Sequence, residues 1–356
     1  MGRVMETTNK SELLYSQLCR RIAEMADGAV FPTVRQLMAE YKVSQATVTP
    51  AVDVLKERGL LESVPRRGMF VRRKAGKPKL LLLQQDWNSY NMRSVRNRLK
   101  EAASVHGFIF EVEFFDYHED ICEHLNEYEA DVIVIDGITD DQLSSRQIML
   151  LTQSAAPVIL CSNAVPVNQI RYVCGDNTAS GALAARYLAG CGHRKIGLLY
   201  CEPHIMTSEA ITRSFVFVAE NSDCQVSLLD CGMKPGDTPD ERIREFVKRY
   251  TNGQYDFTAL FAISDHGALI ALREFEAAGV RVPEEISILG LGNVPEPGIE
   301  RLTTIDSPRD RIAEAVLEIA MNLVSGRKEF RTQIDVMPEQ VVERDSVKKC
   351  AVLMAI

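Results

Sequence analysis

Short apolar runs recur along residues 80–356, with helix-length amphipathic stretches between most of them. The runs are 80–83, 108–115, 131–136, 157–161, 195–201, 259–264 and 286–291. The clearest amphipathic stretches are 91–106, 179–190 and 240–251. Continuous apolar strands that alternate with helices are typical of parallel sheets covered on both faces. The pattern therefore predicts an α/β body of two lobes, and ligands of open α/β sheets bind beyond the carboxyl ends of the strands.

Residues 32–73 have a different rhythm, which predicts helix, turn, helix and a tight hairpin. Ser44 directly precedes a helical pattern, so its hydroxyl can cap a helix that starts at Gln45. Gly59 is a typical helix stop, and LLESV and MFVRR then read as two strands joined by the basic turn 65–68. The segment is predicted to be a winged helix-turn-helix.

A winged helix-turn-helix reads DNA with the first turns of its second helix, which enter the major groove. The wing adds contacts to the minor groove or to phosphates. The predicted DNA-binding residues are Arg35, Ser44, Gln45, Ala46, Thr47, Thr49, Arg66, Arg67 and Gly68. Pro50 also lies in the second helix, where it removes a backbone donor and tends to kink the helix.

Charge divides the chain into a basic head and an acidic body. Residues 1–75 hold 13 Lys and Arg against 8 Asp and Glu, a net charge of +5, whereas the whole chain carries −8. The remainder therefore carries about −13. This asymmetry assigns DNA contact to the head and keeps the body off the phosphates.

Other function classes find little support in the sequence. The nine cysteines are scattered without a CxxC pair, which indicates reduced thiols in a cytoplasmic protein and no zinc site. No apolar run has the length of a membrane span, and the first ten residues lack the apolar core of a signal peptide. No P-loop, G-x-S-x-G or HExxH motif occurs. We expect no enzyme, cofactor, metal site or membrane partner.

The head resembles the GntR-type winged helix. The matching residues, in order, are Pro32, Arg35, Leu37, Val43, Ser44, Thr47, Val48, Ala51, Leu55, Gly59, Leu60, Gly68, Phe70 and Val71. That family usually has basic residues where this chain has Gln45 and Thr49. Together with Pro50, this departure indicates either an unusual DNA site or a weakened recognition face.

The body resembles the LacI/GalR-type effector domain, which is similar in fold to periplasmic sugar-binding proteins. The matching segments are 173–199, 259–269, 277–293 and 338–346. A GntR head on a LacI-type body is the architecture of the arabinose-type repressors. The resemblance implies a homodimeric transcriptional regulator, usually a repressor, which binds a double-stranded DNA operator. It also implies a small effector in the interlobe cleft, which in that family is usually a carbohydrate. The predicted domains are 1–74, a linker at 75–79 and 80–356, with lobe boundaries near 165–177 and 303–308.

Candidate effector-binding residues follow predicted strand ends or match motifs of that family. They are Asp86, Trp87, Asn88, Tyr117, Asp136, Asn163, Arg213, Asp265 and Asn293. Trp87 offers a flat apolar face to a sugar ring, or it packs at a lobe or dimer surface. Asp265 can accept hydrogen bonds from vicinal hydroxyls, or it caps a helix that begins at Gly267.

Two positions leave the effector class open. In the family's R-x-x-G-F element, Arg213 is the arginine if Phe217 is the aromatic, whereas Ile211 takes that position if Phe215 is the aromatic. The family's cleft aspartate is replaced, because Gly292 and Asn293 stand in its place. Two rival functions therefore remain: a ligand-blind DNA-binding protein, and a sensor whose DNA-binding head is disabled by Pro50.

Overall fold

A computed structural model gives the architecture of the chain. It describes residues 10–11, 14–15, 17–19, 21–22, 25–57, 59–72, 76–87, 89–138, 143–161, 164–165, 167–234, 236–327, 330–338 and 340–348. Over these residues the chain forms a three-stranded sheet and two six-stranded sheets. Of the predicted linker, residue 75 lies outside the described residues and Lys79 already begins a strand.

The three-stranded sheet belongs to the head. Its elements are β1 (Val30–Phe31), α1 (Val34–Tyr41), α2 (Gln45–Glu57), β2 (Leu61–Val64) and β3 (Gly68–Val71). Thr33 and Gln36 form a reciprocal capping box that starts α1. Helix α2 buries Val48 and Leu55 against Leu37 in the head core, as helical spacing predicts.

The first lobe of the body begins at Lys79. Its elements are β4 (Lys79–Gln85), α3 (Tyr90–Val105), β5 (Ile109–Phe115), a 3₁₀ helix (Ile121–Glu127), β6 (Val132–Asp136), α4 (Ser145–Gln153), β7 (Val158–Cys161) and β8 (Arg171–Gly175). All these strands run parallel. Because β6 and β7 are buried along their whole length, they appear in the sequence as unbroken apolar runs.

The second lobe follows, and the chain then returns to the first. Its elements are α5 (Asn177–Gly190), β9 (Lys195–Tyr200), α6 (Met206–Glu220), β10 (Gln225–Asp230), α7 (Asp240–Thr251), β11 (Ala259–Ala262), α8 (Asp265–Ala277), β12 (Ser287–Gly292), a 3₁₀ helix (Ile299–Arg301) and β13 (Thr303–Asp306). The chain ends with α9 (Arg309–Val324), β14 (Gln333–Val336) and β15 (Val341–Val342).

Strand pairing assigns the last elements to different lobes. The lobe 1 sheet has the order β5-β4-β6-β7-β8-β14, and the lobe 2 sheet has the order β10-β9-β11-β12-β13-β15. Among the described strands of these two sheets, only the short β15 pairs antiparallel. The chain therefore passes between the sheets at 175–177, at 306–309 and at 336–341.

The predicted α/β fold class, a winged helix-turn-helix followed by two parallel-sheet lobes, is confirmed. All seven apolar runs coincide with strands. The sequence pattern missed the strands β8, β10, β13, β14 and β15. Three of these, β10, β14 and β15, lie at sheet edges, where partial exposure breaks up the apolar run. Among the described residues, no helix is both long and apolar enough to cross a membrane.

Candidate functional site

Helix α2 exposes one face that runs through its first two turns. Gln45, Ala46 and Pro50 are exposed and Thr49 is half-buried. Ala46, Thr49 and Pro50 follow Gln45 by one, four and five residues, so all four lie on one side of the helix. The helix continues through Pro50 to Glu57, so the proline does not end it. Proline lacks an N–H, and the Ala46 carbonyl therefore has no helical donor at that position.

Thr47 corrects one predicted DNA contact. Its side chain is only 4% exposed, and its hydroxyl lies 3.1 Å from the Ser44 hydroxyl. The Thr47 carbonyl accepts a hydrogen bond from Ser11 Oγ at 3.0 Å. Helical periodicity turns residue 47 toward the core with Val48, away from the outer face. Thr47 therefore shapes the start of α2 and has no access to base edges.

The hairpin of β2 and β3 carries the predicted basic tip. Arg66 has a left-handed φ of 64°, and Gly68 has a φ of 108° that glycine adopts without strain. Arg66 and Arg67 are exposed, as is Arg35 on α1. The guanidinium of Arg67 lies 5.7 Å from the centroid of the Phe70 ring. Phe70 thus supports one of the two tip arginines from the hairpin itself.

In the body, the carboxyl ends of strands in the two lobes face each other across a cleft. Tyr117 follows β5 of lobe 1, and its ring lies 4.0 Å from where a Cβ on Gly236, in the loop after β10 of lobe 2, would be. At the opposite side of the cleft, the Arg309 guanidinium at the start of α9 donates to the Asn293 carbonyl at 2.7 Å. Tyr117 of lobe 1 therefore lies near the Gly236 loop of lobe 2, and Arg309 bonds the start of α9 to the loop after β12.

Asp265 is bound entirely within lobe 2. It is 1% exposed, and its carboxylate accepts hydrogen bonds from Thr304 Oγ1 at 2.5 Å and from the Val294 N–H at 2.9 Å. Burial raises the pKa of this carboxyl to about 6, against the opposing hydrogen bonds from Thr304 and Val294. Helix α8 begins at Asp265 and is capped by Ser264, which accepts from the Gly267 N–H. Asp265 therefore joins strand ends and neither caps the helix nor faces the cleft.

Asn293 belongs to a polar network beside the crossovers. Its Nδ2 donates to Asp306 at 3.1 Å, and its Oδ1 accepts from Arg344 at 2.7 Å. Its φ of 52° is left-handed, which asparagine tolerates better than most residues. Asp306 and Arg309 lie in this network 3.8 Å apart. Both stand where the chain passes from β13 of lobe 2 to α9 of lobe 1.

Next to that network lies a polar cavity of about 380 Å³ between the two lobes. Lobe 1 contributes Ser94, Arg98 and Asp310 to its wall, and lobe 2 contributes Asn293, Pro295 and Ile299, among others. Arg98 and Asp310 form an ion pair at 2.9 Å. Of the predicted effector residues that the structure describes, Asn293 alone lines this cavity.

Burial decides which aromatic residue fills the R-x-x-G-F element of α6. Phe215 is fully buried and stacks on Phe261 with 4.8 Å between ring centroids, whereas Phe217 is 68% exposed. Phe215 therefore occupies the packed position, and Ile211 takes the place of the arginine. Arg213 is 81% exposed and pairs with Glu209 on its own helix. The predicted effector contact of Arg213 therefore loses its support.

At the lobe 1 edge, the structure separates buried candidates from accessible ones. Asp136 is 2% exposed and accepts from Gln84 Nε2 at 2.9 Å, so it holds β4 beside β6. Asp86 is exposed, Trp87 is half-buried and Tyr117 is 38% exposed. These three can meet a ligand. Asn88 and Asn163 lie outside the described residues.

Three residues that the sequence analysis did not single out lie together at the lobe 2 edge. Glu202 follows β9, His266 lies in the first turn of α8, and Glu296 lies in the loop after β12. The His266 Nδ1 is 2.7 Å from Glu296 Oε1, and Glu202 interacts electrostatically with both residues. Each lies within a few residues of a strand end, the same signal that identified Asp86 and Asn293. Among the described residues, no group of His, Cys, Asp and Glu side chains could hold a metal ion.

Comparison with known proteins supports the division into head and body. Residues 10–71 match the family described as bacterial regulatory proteins, gntR family, and residues 185–347 match the periplasmic binding protein-like domain. A curated relative, the HTH-type transcriptional repressor PurR of Photobacterium profundum, is 31% identical over 49% of this chain and 52% of its own length. The chain thus spans about half the length of the curated relatives it matches.

Solved structures with the same fold match the body. A LacI family transcriptional regulator from Enterococcus faecium with bound ribose has a TM-score of 0.63 at 19% identity, covering 76% of this chain and 98% of that one. A periplasmic binding protein/LacI transcriptional regulator from Alkaliphilus metalliredigens complexed with D-xylulofuranose has a TM-score of 0.62 at 19% identity, covering 77% and 100%. At these identities the likeness concerns the fold alone.

Proposed function

Because the chain joins a GntR-type helix-turn-helix to a periplasmic-binding-protein-like body, we propose that it is a DNA-binding transcriptional repressor controlled by a small ligand. The single observation that carries the proposal is the exposed face of α2 beside a basic wing, on the same chain as two lobes whose strand ends face each other. The curated relatives it matches are transcriptional repressors rather than enzymes.

The DNA-binding surface consists of the outer face of α2 and the wing tip. Gln45 and Thr49 have side chains that can hydrogen-bond to base edges, while Ala46 and Pro50 offer apolar contact to a thymine methyl. The exposed Arg35, Arg66 and Arg67 bind phosphates or enter the minor groove, and Gly68 lets the wing tip approach the DNA backbone. This set contains few charged base-reading residues, so we expect phosphate contacts to supply most of the affinity.

The effector binds between the lobes, against Asp86, Trp87 and Tyr117 of lobe 1 and Asn293 of lobe 2. A half-buried indole and phenol ring flanked by polar groups suits a small carbohydrate-like molecule. The bound ribose and xylulofuranose of the two similar structures agree with that size. A ligand that binds one arrangement of the lobes more tightly than the other shifts the protein toward that arrangement. The resulting change in the free energy of DNA binding is typically about 1–3 kcal/mol.

We further propose a cytoplasmic homodimer. Two heads related by a twofold axis would contact successive major-groove faces of a palindromic operator. Helix α2 is continuous through Pro50, so its folded state does not favour the rival hypothesis of a disabled head.

DNA binding is tested with the full chain and a random 30-base-pair duplex pool, because selection from such a pool recovers whatever operator sequence the protein prefers. The selected duplex is then titrated by fluorescence anisotropy at low and moderate salt. We expect a palindromic consensus and an affinity that falls steeply with salt. Replacing Arg66 and Arg67 together by Ala should weaken binding, whereas Lys248→Ala on exposed α7 of lobe 2 should not.

The absence of an enriched sequence would refute the proposed DNA-binding function. Equal binding by the wing variant and the parent would refute the assignment of the wing. Addition of a mixture of neutral sugars and amines to the protein–DNA complex tests effector control, since a regulated repressor changes its anisotropy with at least one of them. An unchanged complex would favour the ligand-blind alternative.

A further inference from the structure

The carboxyl edge of lobe 2 holds two acidic side chains and one imidazole on three different elements. Glu296 is 6% exposed, and its Oε1 bonds His266 Nδ1 at 2.7 Å. Its other oxygen, Oε2, is buried and has no hydrogen-bond partner among the described residues. A buried carboxylate oxygen without a partner has lost its hydrogen bonds to water, so a ligand group that donates to it relieves that cost.

Glu202 faces the same pair. Its carboxyl lies close enough to Ser264, His266 and Glu296 for each of them to influence its pKa, which burial raises. The side chain retains partial solvent exposure, and His266 is 44% exposed, so this side of the cluster is accessible to solvent. The backbone beneath is closely packed, because a Cβ on Gly267 would lie 2.2 Å from Cys201 Sγ. This packing limits how far the backbone that carries Glu202 and His266 can shift.

The charge of these three side chains indicates which chemical group a ligand needs at this position. Among the ion pairs of the described residues, Glu296 is paired only with His266, and Glu202 with none. When both carboxyls are ionised, a protonated imidazole offsets only one of their two negative charges, and burial together with Glu296 accordingly raises the pKa of Glu202. A neutral hydroxyl donates a hydrogen bond but leaves that charge, whereas an ammonium group supplies up to three donors and a positive charge.

The carboxyl edge of lobe 1 also holds a buried polar group without a partner among the described residues. Gln85, the last residue of β4, is 3% exposed, and its Nε2 has no hydrogen-bond partner within the described part of the chain. It is a donor at the carboxyl edge of lobe 1, while Glu296 Oε2 is an acceptor at the carboxyl edge of lobe 2. A ligand with an acceptor at one end and a cationic donor at the other satisfies both when it spans the cleft.

We propose that the effector carries a cationic nitrogen, which Glu202 and Glu296 bind on lobe 2. This inference rests on the proposed function, namely a small ligand in the interlobe cleft, and it narrows the ligand to amine-bearing compounds of sugar size. The sequence analysis expected a carbohydrate and placed Arg213 and Asp265 among its contacts, whereas Arg213 is exposed on α6 and Asp265 is bound within lobe 2.

The test compares matched pairs of compounds that differ in charge. D-glucosamine is set against D-glucose and N-acetyl-D-glucosamine, and putrescine against 1,4-butanediol, with the full-length protein in calorimetric titrations. We expect binding by an amine but not by its neutral counterparts. Glu296→Gln and Glu202→Gln should each weaken that binding at least tenfold, about 1.4 kcal/mol. Glu300→Gln, an exposed neighbour in the same segment, should bind as the parent does.

The possible outcomes distinguish failure of the amine assignment from failure of the proposed function. The amine assignment would be overturned if neutral sugars bound the parent and both glutamine variants equally. That result would still be consistent with a ligand-controlled regulator. If no probe binds while the protein still binds its selected DNA, the amine assignment is overturned together with effector control. Each glutamine variant must retain the parent's circular dichroism spectrum and DNA affinity. If Glu296→Gln fails to fold, Glu202→Gln, at a partly exposed site, provides the test.

Discussion

A methyl group added at Gly181 tests how closely the first two helices of lobe 2 approach each other. Gly181 lies on α5, and a Cβ there would stand 2.2 Å from the Ile211 carbonyl oxygen and 3.0 Å from the Phe215 N–H nitrogen, both on α6. The obstacle is backbone, which cannot rotate away as a side chain can. Gly181→Ala must therefore push the two helices apart by about an ångström.

The size of the effect follows from two opposing contributions. Overpacking of a well-packed core typically costs about 1–3 kcal/mol, and backbone contact argues for the upper end. Alanine is favoured over glycine within a helix by about 1 kcal/mol. The net loss of unfolding free energy is expected to be about 2 kcal/mol. If a unit of 150–250 residues unfolds cooperatively, this loss lowers its melting temperature by about 4–8 °C, and a larger cooperative unit shows a smaller shift.

Gly190, the last residue of the same helix, provides the control. A Cβ there meets no atom within 4 Å, so Gly190→Ala should be neutral or stabilising by up to about 1 kcal/mol. Urea unfolding followed by circular dichroism measures both variants, with equal slopes required because head and body can unfold separately. Equal stability of Gly181→Ala and Gly190→Ala would refute the close approach of α5 and α6.

Three further outcomes concern the head and the cleft. Arg66→Ala and Arg67→Ala should each reduce the slope of log affinity against log salt by about 1, measured by anisotropy on the selected duplex; an unchanged slope would mean that the wing does not touch phosphate. Gln45→Ala should alter the base preference recovered in a repeat selection and leave stability unchanged, whereas Thr47→Ala should lower the unfolding free energy by about 1 kcal/mol; the reverse pattern would contradict the burial of Thr47. Because the pKa of Asp265 is raised to about 6 from 3.8, the folded state binds this proton more tightly than the unfolded state. The stabilisation is fully present below pH 3.8 and is lost as the pH rises through 6. The titration of Asp265 alone should therefore make the unfolding free energy of the parent about 1 kcal/mol lower at about pH 7.5 than at about pH 5. Asp265→Asn should remove that difference in urea midpoints, and a variant with the parent's pH dependence would exclude Asp265 as its source.

The fold could be predicted from the sequence because its signals are local. Strands that are buried on both faces, such as β6 and β11, appear as continuous apolar runs. The long amphipathic helix α7 matches its predicted range of 240–251 residue for residue. The edge strands that the sequence analysis missed gave no comparable signal. β10 mixes exposed, half-buried and buried positions, and the two-residue β15 is defined only by its pairing with β13.

The candidate site was less predictable, because strand-end position does not tell which way a side chain points. Asp136 and Asp86 both follow or end a strand, yet one is buried against Gln84 and the other is exposed. The choice between Phe215 and Phe217 needed the packing of α6. The acidic pair of Glu202 and Glu296 is separated by 94 positions in sequence, and only the parallel order of β9, β11 and β12 brings it together.

The hinge links the two halves of the proposed mechanism. Arg309 begins α9 of lobe 1, yet it is 9% exposed and donates to the carbonyls of Gly292 and Asn293 in lobe 2. The same Asn293 contacts Asp306 and Arg344, so one network spans two strands and a crossover. A ligand that pulls Glu296 toward lobe 1 acts on the loop that begins at Asn293. Since this loop is bonded to Arg309, a movement at the ligand would reach the crossover rather than be absorbed in a free loop. In the proposed ligand-controlled homodimer, that connection would let the cleft bias the arrangement of the lobes, and therefore the spacing of the paired heads on DNA.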